Sequence, residues 1–231
     1  MIKVASYNMR KAIGTDRRRM PERTLEVLCE IDADIVALQE CDRRLGERAG
    51  VIPLHMLEER TPWRAVPIAM RAQSMGWHGN ALLVRKTADI GEHRRIELPA
   101  LEPRGAVTAD ITTDGVELRV VGMHLDLSGL WRRKQAHAIL THVEGHATQL
   151  PSVLMGDLNE WTPRSGCLRD FGRNHRFAET GPSFHARHPV GRLDRIMVSD
   201  ALRIVDAGVH SSAAARKASD HLPIWATLEP A

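Results

Sequence analysis

The chain has 231 residues, 43% hydrophobic and 26% charged, with a formal net charge of +3. That balance suits one soluble domain with a substantial core, offers no apolar stretch of the roughly 20 residues a helical membrane span needs, and is too weakly basic to mark a nucleic-acid-binding protein by itself. Three scattered cysteines (Cys29, Cys41 and Cys167) exclude a disulfide framework or a zinc ribbon and read as small buried hydrophobes. All but five of the 32 basic residues are Arg, whose planar fork matches phosphate oxygens, although the codon bias of a GC-rich genome accounts for the excess equally well.

From Met1 the chain runs directly into a strand over Ile2 to Asn8, with neither the long apolar segment nor the cleavage site of a secretion signal, so the expected location is cytoplasmic. A basic loop follows. Pro21 then suits the first turn of a helix of about ten residues whose buried face carries Leu25, Leu28 and Ile31. Ala33 to Glu40, Gly79 to Arg85 and Ala106 to Thr112 read as strands. Gly115 turns the last of these into a strand over Val116 to Met123, an antiparallel hairpin. Ala136, Ile139, Leu140 and Val143 give the apolar stripe of a helix from about Leu130 to His146. Val153 to Met155, Leu193 to Val198 and Pro223 to Leu228 complete the strands. Crossovers mixed with hairpins predict a mixed-sheet α/β layer protein, one domain over residues 1–231.

The chemistry sits where apolar runs end. Asn8, Glu40, His124, Gly156-Asp157-Leu158-Asn159, Asp194 and Ser219-Asp220-His221 each adjoin a Val-, Ile- or Leu-rich strand. Residues at strand ends border the crevice of an open sheet. If these ends converge, the four carboxylates of Glu40, Asp157, Asp194 and Asp220 require a neutralising cation. Oxygen donors favour Mg²⁺ or Mn²⁺ over zinc. Asp157 and Asn159 share a face if their segment is extended, although a Gly-Asp-Leu-Asn turn is the alternative. Asp220 and His221 point to opposite faces of a strand, so Asp194 is the better orienter of His221, which leaves Asp220 for metal or water. The loop holding Arg10, Lys11, Arg17, Arg18, Arg19 and Arg23 is as well suited to a phosphate-binding rim as to a solvated face. Arg10, Arg18, Arg19, Asn80 and Arg192 are the rim candidates. Arg132, Arg133 and Lys134 form a second rim or a helix surface. His137, His142 and His146 read as a solvated helix face rather than a zinc site, which would need more ligands.

In order, these motifs resemble the endonuclease/exonuclease/phosphatase superfamily, the metal-dependent group that includes DNase I, abasic-site endonucleases, neutral sphingomyelinases, inositol polyphosphate 5-phosphatases and deadenylases. Small bacterial metal-dependent hydrolases of that group are the best match. The resemblance spans Asn8 to His221. It implies a DNase I-like four-layer α/β sandwich, two mixed β-sheets packed face to face and flanked by helices. It also implies Glu40 as principal metal ligand with Asn8 and Asp220 close by, and Asp157 positioning or deprotonating water or binding a second metal. Asn159 would hold the scissile phosphate, Asp194 and His221 would form an oriented pair, and His124 would contact a phosphate oxygen or assist the leaving group. With one Tyr, Tyr7, and no interleaved basic–aromatic stretch, the sequence favours a phosphodiesterase on a small molecule or phospholipid head group over a DNA or RNA nuclease. A catalytically silent binding protein ranks third, because every expected residue type is present. The partners expected are a phosphate-ester substrate, nucleic acid in the nuclease reading, and an anionic lipid surface met peripherally by the basic rim. The expected state is a monomer.

Overall fold

Alternation along each strand decides both the packing and the position of the polar ends. The structure, a computed structural model, describes residues 1–43, 46, 48–99, 102–163 and 166–231. In chain order its elements are β1 (Ile2–Asn8), α1 (Pro21–Ile31), β2 (Ile35–Gln39), α2 (Leu54–Arg60), β3 (Trp63–Ala65), β4 (Ala81–Arg85), β5 (Asp89–Glu97), β6 (Gly105–Thr113), β7 (Val116–His124), α3 (Gly129–Glu144), β8 (Ser152–Asp157), α4 (Cys167–Phe171), β9 (Arg176–Phe177), β10 (Asp194–Val198), β11 (Leu202–Val209), α5 (Ala215–Ala218) and β12 (Ile224–Pro230).

The strands form two six-stranded sheets, ordered β11-β12-β1-β2-β4-β3 and β5-β6-β7-β8-β10-β9. Each has one central parallel pair, β1/β2 and β7/β8, joined by the crossover helices α1 and α3. Every other named pair is antiparallel.

Three apolar clusters separate the layers. Val4, Ile35, Ala37, Val107, Val120, Val153 and Ile196 meet between the sheets. Ala5, Val36 and Leu38, from the other face of β1 and β2, pack under Leu25, Leu28 and Ile31 of α1. Val121, Met123 and Leu154 pack under Ala136, Ile139, Leu168 and Phe171 of α3 and α4. The result is the expected four-layer sandwich, helices outside two mixed sheets.

Successive strand side chains point to opposite faces. Since Val4, Val120, Val153 and Ile196 face the inter-sheet core, residues an even number of positions along the same strands share that direction. Those residues are Asn8, His124, Asp157 and Asp194. The apolar stripe thus ends in a row of polar groups between the two sheets.

The differences from the sequence reading have local causes. Pro21 opens α1 as expected, and Asp32 closes it in a left-handed conformation. β5 and β11 lie at sheet edges with few buried side chains, Ile96 in one and Leu202 in the other, so no apolar run announces them. Cys41 and Cys167 are buried as expected, and burial raises both thiols, Cys167 to about 11. Cys29 is exposed, because it follows Leu28 on α1 and turns away from the helix's apolar face. No helix among the described residues is long and apolar enough to cross a membrane.

Gly156 leaves no room for a side chain against β7, for a Cβ there would lie 1.9 Å from the Met123 carbonyl oxygen. Adding that atom must separate the strand ends that carry His124 and Asp157. Gly156→Ala is expected to lower stability by roughly 3 kcal/mol, as for overpacking against a rigid backbone. Urea unfolding followed by circular dichroism measures it, and an unchanged midpoint would contradict the packing described.

Candidate active site

Register brings the polar strand ends to one level. Asn8 pairs with Gln39 across the parallel β1/β2 ladder, and His124 with Asp157 across β7/β8, while Asp194 sits opposite Asp157 on β10. Asp157 is 1% exposed, so its carboxylate must be satisfied by neighbours. Asn8 Nδ2 donates to Asp157 Oδ2 at 2.9 Å, joining the two sheets, and the backbone N–H of Asn159 donates to Oδ1 at 2.9 Å. His124 Nε2 and His221 Nε2 face the same Oδ2 at 3.5 and 3.7 Å.

Asn159 does not continue an extended strand. It has φ +50° and its Nδ2 donates to the Leu125 carbonyl at 2.9 Å. The turn alternative therefore describes this segment, and Asp157 and Asn159 are linked through the Asn159 backbone rather than by sharing a strand face. Asn tolerates the left-handed region better than most residues.

His221 enters from the loop before β12. Its Nδ1 donates to Asp194 Oδ2 at 2.9 Å, its backbone N–H donates to Ser219 Oγ at 3.2 Å, and Ser219 Oγ in turn donates to the Asn8 carbonyl at 2.7 Å. Ser183 Oγ also donates to Asp194 Oδ2. The Asp194–His221 orientation expected from the sequence is thus present in the geometry. The two imidazoles differ sharply in charge preference. For His221, burial by itself disfavours the cation, but Asp194, Asp157 and Asp220 outweigh it and hold the pKa at about 10. For His124, burial dominates the attraction of Asp157 and lowers the pKa to about 3. One faces Asp157 protonated and the other neutral.

Glu40 follows β2 with φ +55°, and Lys11 Nζ pairs with its carboxylate. Both line a cleft of about 360 Å³ with His78, Arg48, Arg104 and His124. Asp220 meets Arg10 Nε at 3.2 Å, and Asn8 Oδ1 accepts from the Arg10 backbone N–H at 3.1 Å.

The rim candidates separate. Arg10 lies against Asp220 as described. Arg19 is exposed and donates from Nε to the Lys11 carbonyl, while Arg18 is exposed beside Asp16. Asn80 is not a rim residue. It is fully buried and donates from Nδ2 to the Gly105 carbonyl at 2.9 Å, tying the start of β4 to β6. Arg192 faces Glu179 at 3.3 Å and lines a different groove with Arg195, because β10 begins only at Asp194 and the preceding segment turns outward. Arg132 and Arg133 form no second rim, being paired with Glu160 and Asp170. Lys11 joins the site from the basic loop after β1, whereas Arg104, His78 and Ser183 join its surroundings without a sequence signal, since each sits in a loop.

The endonuclease/exonuclease/phosphatase family profile matches residues 5–221. The chain belongs to this family. It is 27% identical to the uncharacterized protein YbhP of Escherichia coli over 249 aligned residues, 98% of this chain and 95% of YbhP. The mannosyl-6-phosphatase Bt3783 of Bacteroides thetaiotaomicron superposes with TM-score 0.77 at 22% identity, covering 99% of this chain and 100% of that one. The human Nocturnin catalytic domain with bound sulfate superposes with TM-score 0.75 at 20% identity, covering 100% and 93%.

Members of the endonuclease/exonuclease/phosphatase family are phosphoesterase hydrolases, in general dependent on a divalent metal. Among the described residues, one group of three Asp and His side chains lies close enough together to hold an ion. Asp157, Asp194 and His221 bring one ligand atom each within 4.8 Å of one another. There, however, His221 Nδ1 already donates to Asp194 at hydrogen-bond distance, and a cation between them would displace that proton. At Glu40, Asn8 and Asp220 the donors are all oxygen, and both carboxylates already hold a cationic side chain, Lys11 or Arg10. That demand for positive charge, met by hard oxygen donors, fits Mg²⁺ or Mn²⁺.

Protonation links this site to stability. The folded pKa of His124 lies below its unfolded value, so the unfolded chain binds the extra proton. Stability from this group is present above about pH 6.5 and is lost as pH falls toward 3, with a slope of up to about 1.4 kcal/mol per pH unit. His221 acts oppositely, its contribution being complete below about pH 6.5 and lost as pH rises through 10. His124→Asn is expected to flatten the acid limb of unfolding free energy against pH. Parallel acid limbs in variant and parent would contradict the neutral, buried His124.

Proposed function

We propose that the protein is a Mg²⁺- or Mn²⁺-dependent phosphodiesterase acting on a small molecule or a phospholipid head group. The observation that carries this reading is the buried Asp157 carboxylate, held by Asn8 and the Asn159 backbone and faced by a protonated and a neutral imidazole. In the proposed reaction, water attacks phosphorus in line as the bond to the ester oxygen breaks, and the departing alkoxide takes its proton from solvent. Asp157 orients that water through an oxygen lone pair and takes its proton. His221, kept cationic by Asp194, donates to a non-bridging phosphate oxygen as charge grows there. His124, neutral, and Asn159 complete the set of donors around the phosphate. Such preorganised donors act where charge develops. Glu40, Asn8 and Asp220 are the proposed metal ligands, and a bound cation would supply Lewis-acid stabilisation of the phosphoryl oxygens.

The small-substrate preference rests on the walls of the cleft. Lys11, Arg43, Arg48 and Arg104 share the same 360 Å³ cleft with the acids Glu40, Asp42 and Glu102. A long polyanion would meet those acids, whereas one phosphate group needs only the cations nearest Glu40.

Purified protein is to be assayed on bis(p-nitrophenyl) phosphate, p-nitrophenyl phosphate and plasmid DNA, each with Mg²⁺, Mn²⁺ or EDTA. Metal-dependent release from the diester with intact plasmid is the expected result. Asp157→Ala and His221→Ala are each expected to lower turnover by roughly 10²–10³ while circular dichroism stays unchanged. Full activity in either variant would overturn the assignment, and plasmid nicking that weakens steeply with salt would replace it by a nuclease.

A further inference from the structure

Four large apolar side chains stand out into solvent on loops and at the start of α3, near the catalytic end of the second sheet. They are Leu127, Leu130, Trp161 and Val190. Leu127 and Leu130 follow His124, Trp161 follows Asn159 by two residues, and Val190 precedes Asp194 by four. Trp161 is the clearest case. It is 59% exposed and is the one tryptophan among the exposed large hydrophobic residues.

The chain around Trp161 is firmly held. Its neighbour Glu160 is buried and accepts from Arg132 Nη2 at 3.0 Å and from the Thr162 backbone N–H at 3.0 Å. Arg132, itself 8% exposed, also donates from Nη1 to the Leu127 carbonyl at 2.6 Å. A buried ion pair costs desolvation of both groups. Here it fixes the loop that presents the indole.

The indole is also built into a path toward the catalytic imidazole. A Cβ on Gly191 would lie 2.9 Å from Trp161 Cζ3, so only glycine lets the ring rest there. Trp161 stands edge-on to Phe184, with centroids 5.9 Å apart at 88°. Phe184 lies 4.8 Å from the His221 ring, and its backbone bridges both Gly191 and His221. Aromatic surface thus continues from solvent to the proton donor of the proposed reaction.

We infer that Trp161, seated on Gly191 and Phe184, is a subsite that stacks a planar ring esterified to the phosphate. The ring is that of an aryl or base group, and the shared chemistry is a flat π face. This inference rests on the phosphoesterase reading of the adjoining site. It assigns Trp161 to substrate selection, with no part in the chemical step. An exposed indole gives stacking energy at little cost in side-chain freedom.

The test uses phosphonates, whose C–P bond resists hydrolysis. Titration calorimetry compares phenylphosphonate, methylphosphonate and hexylphosphonate on the parent protein, Trp161→Ala and Trp161→Phe in Mg²⁺ buffer. Phenylphosphonate is expected to bind the parent roughly tenfold more tightly than methylphosphonate, as one stacked ring supplies. That ratio should fall to near unity in Trp161→Ala and be largely kept in Trp161→Phe, with methylphosphonate affinity unchanged in both. A phenyl gain that survives Trp161→Ala, or no phenyl gain in the parent, overturns the subsite while leaving the phosphoesterase reading intact. Hexylphosphonate binding more tightly than phenylphosphonate also overturns it, in favour of an acyl chain. Failure of all three phosphonates to bind removes the phosphate site, and the subsite with it.

Discussion

A carboxylate buried between two sheets constrains everything near it. Asp157 is almost wholly removed from water, and an ionised group in that position is tolerable only when hydrogen-bonded and faced by positive charge. Its partners come from both halves of the molecule: Asn8 from the first sheet, and Asn159, His124 and His221 from the second sheet and the closing loop. The close contact of β7 with β8 at Gly156 and the Asn8 link across the sheets hold those partners in place. Removing any one leaves the carboxylate under-satisfied, so the site and the sandwich are specified by the same contacts.

The two halves repeat one plan. Each sheet has a central parallel pair with its crossover helix, flanked by antiparallel strands. Parallel strands present their carboxyl ends at one edge, where ligands bind in open α/β sheets. Stacking two such sheets face to face brings Asn8 and Glu40 from one edge against His124 and Asp157 from the other. Fold and chemistry are connected by alternation, because the residues that continue the inter-sheet apolar stripe are the polar ones at its end.

Much of this was legible in the sequence for the same reason. Buried central strands such as β1, β2, β7 and β8 each carry an apolar stretch, and the polar residue at its end is conspicuous. Alternation set Asp220 aside as the orienter of His221, and the family resemblance supplied Asp194 in its place. Edge strands were not legible, since β5, with its Asp89, Glu92, Arg94, Arg95 and Glu97, carries its charges into solvent and leaves little periodic signal. Nor were loop residues, whose positions depend on turns. Asn159 adopts a left-handed conformation that breaks the expected shared face, Arg192 turns to Glu179, and Asn80 is buried with its Nδ2 tying two strands together. Arg132, read from the sequence as a second rim or a helix surface, is instead buried against Glu160 and holds the loop bearing Trp161.

The central claim is that the carboxylates of this end divide their work, Asp194 orienting His221 while Glu40, with Asn8 and Asp220, holds a cation. Crystals grown with Mn²⁺ and measured at the manganese absorption edge test it directly. The account predicts an anomalous peak beside the Glu40 carboxylate, with the Asp194–His221 hydrogen bond intact. A sole peak bound by Asp157, Asp194 and His221, with that hydrogen bond broken, would contradict it.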